Sequence, residues 1–200
     1  MRTQVPARTR LLEAATRLFY ADGVHAVGID RIIAEAGVAK ASFYNHFPSK
    51  DDLVRAYVEE QSELQRAVAT SVAETAQDDA AAIRDYFELL GEAGTSPSYR
   101  GCPIVNVAIE YPDPTHEIRA AIAEHRRWFR DHFRGLLTAA DHPEPDRTAD
   151  ILVLLRDGLL VGLDLDDSSA VRAATRAAVT RTLAASTGLD QPRLRGGRDG

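Results

Sequence analysis

Five polar-tipped residues crowd into seven positions of this sequence: Lys40, Ser42, Tyr44, Asn45 and His46. Lysine and hydroxyl groups suit phosphate oxygens, and Asn and His reach base edges. Phe43 and Phe47, four residues apart, fall on the opposite side of a helix and can anchor it inward. A helical hairpin needed only for packing is the plain alternative, but it has no use for so many donors on one face. Chemistry of this kind is nucleic-acid binding.

Other candidates are scattered. Asn106 and Glu110 lie at helical spacing in an otherwise apolar stretch and are costly to bury unpaired, so they either orient a ligand or cap a neighbouring helix. Ile118, Ile122, His125, Phe129, His132 and Leu136 form an apolar stripe carrying two histidines. Tyr86, Phe87, Trp128 and Phe129 could line an apolar cavity or be ordinary core. Cys102, with Arg100 nearby, admits a thiol-responsive reading against that of a small buried hydrophobe. As the single cysteine it offers no intramolecular disulfide and no cysteine-based metal site. Cys102 with His116 or His125 could pair a nucleophile and a base, but no acid, oxyanion site or Gly-rich phosphate loop accompanies them. Neither turnover nor a metal or cofactor is expected.

The elements that must position these groups read as helices throughout. Leu11, Ala15, Leu18 and Phe19 stripe a first helix that Asp22-Gly23 ends. A second runs from about Ile29 to Ala36 with Ile29, Ile32 and Ile33 inward, and Gly37 breaks it. The third, Lys40 to Phe47, stops at Pro48. Ser49, with Asp52 three residues on, is a capping-box start, and Leu53, Tyr57, Gln61, Leu64 and Val68 continue one face. Ile83, Phe87 and Leu90 mark another helix before a loop over residues 91–101, and CPIVNVAIEY forms a short segment. Asp113-Pro114 suits a helix start leading to about Leu137. Two last helices, about Asp146 to Leu163 and Ser168 to Ser186, precede a polar tail.

Length and composition agree with a packed protein: 200 residues, 44% hydrophobic. Glu13, Arg17 and Asp22 interrupt what an export signal would need, and the longest apolar run, Ile151 to Leu163, is broken by Arg156 and Asp157 and too short for a membrane span. A soluble cytoplasmic protein is expected. The net charge of −6 is unevenly spread. Residues 1–50 hold seven Lys/Arg against four Asp/Glu, or +3, and the remainder holds 17 against 26, or −9.

Two short helices joined by a glycine turn, with a helix before them, place the second in the major groove. The run GIDRIIAEAGVAKASFYNHFPSKDDL, with Ala36-Gly37-Val38, Tyr44, His46-Phe47, Pro48-Ser49-Lys50 and an acidic pair before Leu53, resembles the N-terminal domain of TetR (tetracycline repressor) family transcriptional regulators. The likeness is close over residues 8–55; beyond them only length and helical pattern agree. Gly28 and Ala39 stand where the family more often has Ser or Thr caps, and Ala41 where Gly is frequent. The resemblance implies that Lys40, Ser42, Tyr44, Asn45 and His46 face DNA and that Lys50 binds a phosphate.

The expectation is therefore an all-α protein: a three-helix helix-turn-helix DNA-binding domain (1–50), a larger helical effector-binding and dimerisation domain (51–187), and a disordered tail (188–200). It would act as a repressor, binding a palindromic DNA operator as a homodimer until a small-molecule effector releases it. A non-catalytic interaction scaffold is the other reading, and it leaves the polar third helix unexplained. The expected effector contacts are Phe87, Cys102, Asn106, Glu110, His125, Trp128 and Phe129. Small residues at four-residue spacing suggest dimerisation through Ile151, Leu155, Gly158 and Gly162 on one helix and Val171, Ala174 and Ala178 on the next.

Overall fold

Local breaks divide the chain where the residue types demand. In the computed structural model, which describes residues 5–184, nine helices and no strand are found among the described residues. They are α1 (Ala7–Asp22), α2 (Ile29–Ala36), α3 (Lys40–His46), α4 (Lys50–Thr75), α5 (Asp79–Ala93), α6 (Pro103–Glu110), α7 (Glu117–Ala139), α8 (Pro145–Leu165) and α9 (Ser168–Ala184). Gly37, at φ +61° and ψ +42°, ends α2 in the left-handed conformation that glycine adopts without steric cost. Ser49 and Asp52 form a reciprocal capping box at the start of α4. Gly28 and Ala39 cap α2 and α3 without any side-chain bond, as their side chains dictate.

Two apolar cores result. The first joins α1, α2 and α3 to the opening turns of α4 through Leu53, Val54, Tyr57 and Val58, and extends into α6 and the start of α7. The expected boundary at residue 50 thus falls at the first residue of α4, inside an element that serves both halves. The second core, built on Phe87, Phe129, Phe133, Leu152 and Leu159, lies among α5, α7, α8 and α9. α7 packs along α8, and α8 along α9.

Several expectations change. The α4 stripe turns: Leu53 and Tyr57 are buried, but Leu64 and Val68 are exposed, while Ser62 and Ala69 go inward. On α7 the buried line runs Ile118, Ile122, His125, Phe129 and then Phe133 and Leu137, because a 3.6-residue turn drifts away from a strict heptad. His132 and Leu136 are left half-buried. Asp113 does not cap α7; its carboxylate accepts from the Thr115 N–H and hydroxyl, and His116 takes the N-cap. α5 continues two residues past Gly91, into the expected loop, and the Arg172 side chain of α9 occupies the space a Cβ at Gly91 would need. The expected tail lies outside the described residues.

Candidate nucleic-acid interface and effector cavity

Phe43 (0% exposed) and Phe47 (3%) fasten α3 to the first core, which leaves the opposite side of this two-turn helix turned out. Lys40, Tyr44, Asn45 and His46 are exposed, and Ser42 and Lys50 are half-buried. The structure thus brings the six predicted residues together at one end of the molecule. Lys40 Nζ is paired with Asp30 Oδ1 at 2.9 Å, and that bond raises its pKa above the ordinary lysine value. Lys50 opens α4, where free backbone N–H groups and the helix dipole favour an anion. Burial pushes Lys50 below the usual lysine range, with Glu110 and Asp51 pulling it back up.

Position of the turn is set by residues that carry no obvious motif. Arg10 on α1 donates from Nη1 to the carbonyls of Ala36 and Gly37 at 3.3 and 3.2 Å, and Arg17 pairs with Glu35 at 3.0 Å. These contacts hold the glycine turn against α1. Sequence spacing alone would not find them, since each joins residues far apart in the chain.

Of the expected effector contacts, Asn106 and Glu110 do other work. Asn106 Nδ2 donates to the Arg100 carbonyl at 2.7 Å. Glu110, at the end of α6, accepts from the backbone N–H groups of Val24 (2.7 Å, to Oε1) and His25 (2.6 Å, to Oε2), between α1 and α2. Neither residue caps a helix: Asn106 braces the loop before α6, and Glu110 the turn between α1 and α2. Beside it, the Tyr111 hydroxyl donates to Asp51 Oδ1 at 2.8 Å, and Arg55 pairs with Glu117. Tyr20 donates to the Gly101 carbonyl and accepts the Arg100 N–H. The segment around α6 therefore grips α1, the α1–α2 turn and the start of α4.

Phe87 and Phe129 belong to the second core, with Phe87 stacked on Phe133. Trp128 is half-buried, stacked on His132 at 4.8 Å and covered by the Arg66 guanidinium. Cys102 and His125 do line a common cavity of about 260 Å³ between α6, α7 and α8, walled on the apolar side by Ile104, Val105 and Ala108. Cys102 also borders a larger apolar hollow of about 450 Å³ against Tyr20, Tyr57 and Tyr99. The thiol is 2% exposed, as expected of a small hydrophobe.

Arg156 is the residue that sequence reasoning passed over, noting it only as an interruption of an apolar run. It is 2% exposed on α8. Its Nε donates to the Tyr86 hydroxyl at 2.8 Å, its Nη2 to Gln65 Oε1, and its plane lies 4.1 Å over the Phe129 ring. A charge this deep in an apolar helix was the available signal. Burial, then Arg156, Arg66 and Arg126, drive the His125 pKa down to about 3, so its imidazole is neutral.

The α8–α9 surface is also redrawn. Leu155 and Val171 pack against the second core, and Gly162 sits under Val171 of the same chain, where an added Cβ would meet it at 3.1 Å. The exposed apolar residues of α8 are Ile151, Leu154, Val161 and Leu165, with exposed Gly158 between them. Of the α9 candidates Ala174 is exposed and Ala178 half-buried.

Comparisons with known proteins agree from end to end. Residues 11–57 match the model of bacterial regulatory proteins of the tetR family, and residues 115–185 that of a tetracyclin repressor-like C-terminal domain. A TetR-family transcriptional regulator from Streptomyces coelicolor, known from its crystal structure, is 38% identical with a TM-score of 0.85, covering 91% of this chain and 96% of that one. The HTH-type transcriptional regulator LmrA of Bacillus subtilis (strain 168) is 28% identical over 168 residues, 82% of this chain and 89% of that protein. The HTH-type transcriptional repressor DhaR of Mycobacterium sp. (strain GP1) is 24% identical over 171 residues, covering 82% and 85%.

Proposed function

Because this chain belongs to the tetR family of bacterial regulatory proteins, we propose that it is a repressor that binds a palindromic operator as a homodimer and lets go when a small-molecule effector enters the helical domain. The observation that carries the reading is the split surface of α3, apolar inward at Phe43 and Phe47 and polar outward at Lys40, Tyr44, Asn45 and His46. Asn45, His46 and Lys40 are the groups suited to base edges, while Ser42, Tyr44 and Lys50 suit phosphates.

One recognition helix reads half a site, and two must stand about 34–36 Å apart to meet successive major grooves on one face. The exposed stripe Ile151, Leu154, Gly158, Val161 and Leu165 supports α8 as the interface that sets this distance, with Ala174 of α9 beside it. No helix among the described residues is long and apolar enough to cross a membrane.

Release follows from α6. One side of this helix walls the cavity at Ile104, Val105 and Ala108, and its end holds the α1–α2 connection through Glu110. A ligand that fits better with α6 displaced favours a state in which the recognition helices no longer match the groove spacing. The test is salt-dependent binding to the DNA upstream of its own gene, read by fluorescence anisotropy. Binding to a palindrome there, weakened by Tyr44→Ala without loss of the dimer, supports the reading. Absence of binding to any palindromic segment overturns it.

A further inference from the structure

Two polar atoms around the 260 Å³ cavity lack the partners their chemistry requires. His125 is 1% exposed; its Nδ1 lies 3.0 Å from the Ser62 hydroxyl, and its Nε2 has no hydrogen bond. Asp157 gives Oδ2 to Arg126 but leaves Oδ1 buried and unbonded. Arg156 faces that oxygen from Nη1 at 3.7 Å, beyond hydrogen-bond distance, although its Nε and Nη2 are both bonded. Buried groups of this kind are satisfied in nearly all native proteins; Asp157 Oδ1 has the Arg156 charge beside it, and His125 Nε2 calls for an occupant.

Local charge limits what that occupant is. The charged groups lining the cavity are Arg119, Arg126, Arg156 and Asp157, three cations against one anion. Arg119 donates to the Ala108 carbonyl at 2.9 Å and has no carboxylate partner there. With the Ser62 hydroxyl taken as donor to Nδ1, the tautomer on which the proposal stands, the proton of neutral His125 sits on Nε2 and supplies a second donor among the cavity residues. The wall opposite is apolar, from Ile104, Val105, Ala108 and Ile122.

We propose that this cavity takes a small organic monocarboxylate, its oxygens accepting from His125 Nε2–H and Arg156 Nη1 and its apolar body lying against α6. The proposal rests on the effector reading above and names the chemical class of that effector. Two donors on a carboxylate, one of them charged, discriminate strongly against an uncharged isostere. Asp157 opposes the same anion, so removing its charge strengthens binding.

Titration calorimetry on the full chain tests this with benzoate, phenylacetate and hexanoate, each against its amide. At least one acid is expected to bind about tenfold or more tightly than its amide, a margin of one charge-assisted bond. Arg156→Gln and His125→Phe each reduce that affinity by about tenfold or more, and Asp157→Asn raises it. Equal binding of acid and amide, no binding of any acid at millimolar concentration, or affinities unmoved by these substitutions would overturn the proposal. Should Arg156→Gln fail to fold, His125→Phe and the gain with Asp157→Asn decide it. Operator release, read in parallel, separates the two ideas. An acid that binds with the expected variant pattern but leaves operator affinity unchanged supports the site and defeats the effector reading. A neutral compound that releases the operator while no acid binds sustains the effector reading and sinks the site.

Discussion

The recognition helix and the centre of the helical domain place polar groups in opposite circumstances. On α3 the side chains of Lys40, Tyr44, Asn45 and His46 are exposed and, Lys40 apart, make no hydrogen bond within the described residues, and two phenylalanines behind them hold the helix in place. Arg156 is instead buried and held by residues 70 and 91 positions away, while His125 Nε2 and Asp157 Oδ1 near it stay unbonded. Where a polar surface waits for an external partner, stability and binding separate; where it is internal, they are the same contacts.

The largest expected effect tests the apolar half of that statement. Phe43→Ala should cost about 3–5 kcal/mol, since the ring is fully buried in the first core, and should abolish DNA binding by loosening the helix. Urea denaturation followed by circular dichroism measures it. Arg156→Met comes next, at about 2–3 kcal/mol, because Tyr86, Gln65 and Asp157 all lose a charged partner in the interior. A variant as stable as the parent would show that the network contributes specificity and no net stability.

His125 sharpens the contrast through pH. The unfolded chain takes up a proton on this imidazole below about 6.5, and the folded chain does not until about 3. Stability of the parent should therefore fall as pH drops through this window, by about 1.4 kcal/mol per unit, relative to His125→Phe. The difference between the two proteins should be flat above pH 6.5. Ser49→Ala should cost about 1 kcal/mol through the lost cap of α4. Tyr44→Ala should change stability least, within about 0.5 kcal/mol, because its ring is 45% exposed, yet it should weaken operator binding at least tenfold, about the worth of one charge-assisted contact. Melting that moves together with DNA binding in this last variant would collapse the distinction between the regions.

The same contrast explains what could be read from the chain beforehand. α3 was legible because its anchors and its polar face lie within eight residues, at helical spacing, beside a glycine and a proline that fix its ends. The order of the other helices was legible for similar local reasons, although α6 read only as a short segment. The cavity was half-legible: His125 and Cys102 were nominated, but Glu110 and Asn106 turned out to secure α6, since nothing in a single sequence tells which distant backbone a carboxylate will meet. Arg156 was missed because its meaning comes from Tyr86 and Gln65 on two other helices. Gly162, expected at a contact between subunits, is the seat of Val171 within the chain, a packing that depends on how α8 is rotated about its axis.

The exposed pair between Lys40 and Asp30 has a consequence for the thermodynamics of DNA association. A lysine that meets a phosphate displaces a condensed cation from the duplex, and each such event steepens the fall of affinity with salt. Under the proposed function Lys40 meets the operator with the Asp30 carboxylate beside it, and that like charge opposes the duplex and offsets part of the cation release. Asp30→Asn should therefore steepen the salt slope, by at most about one.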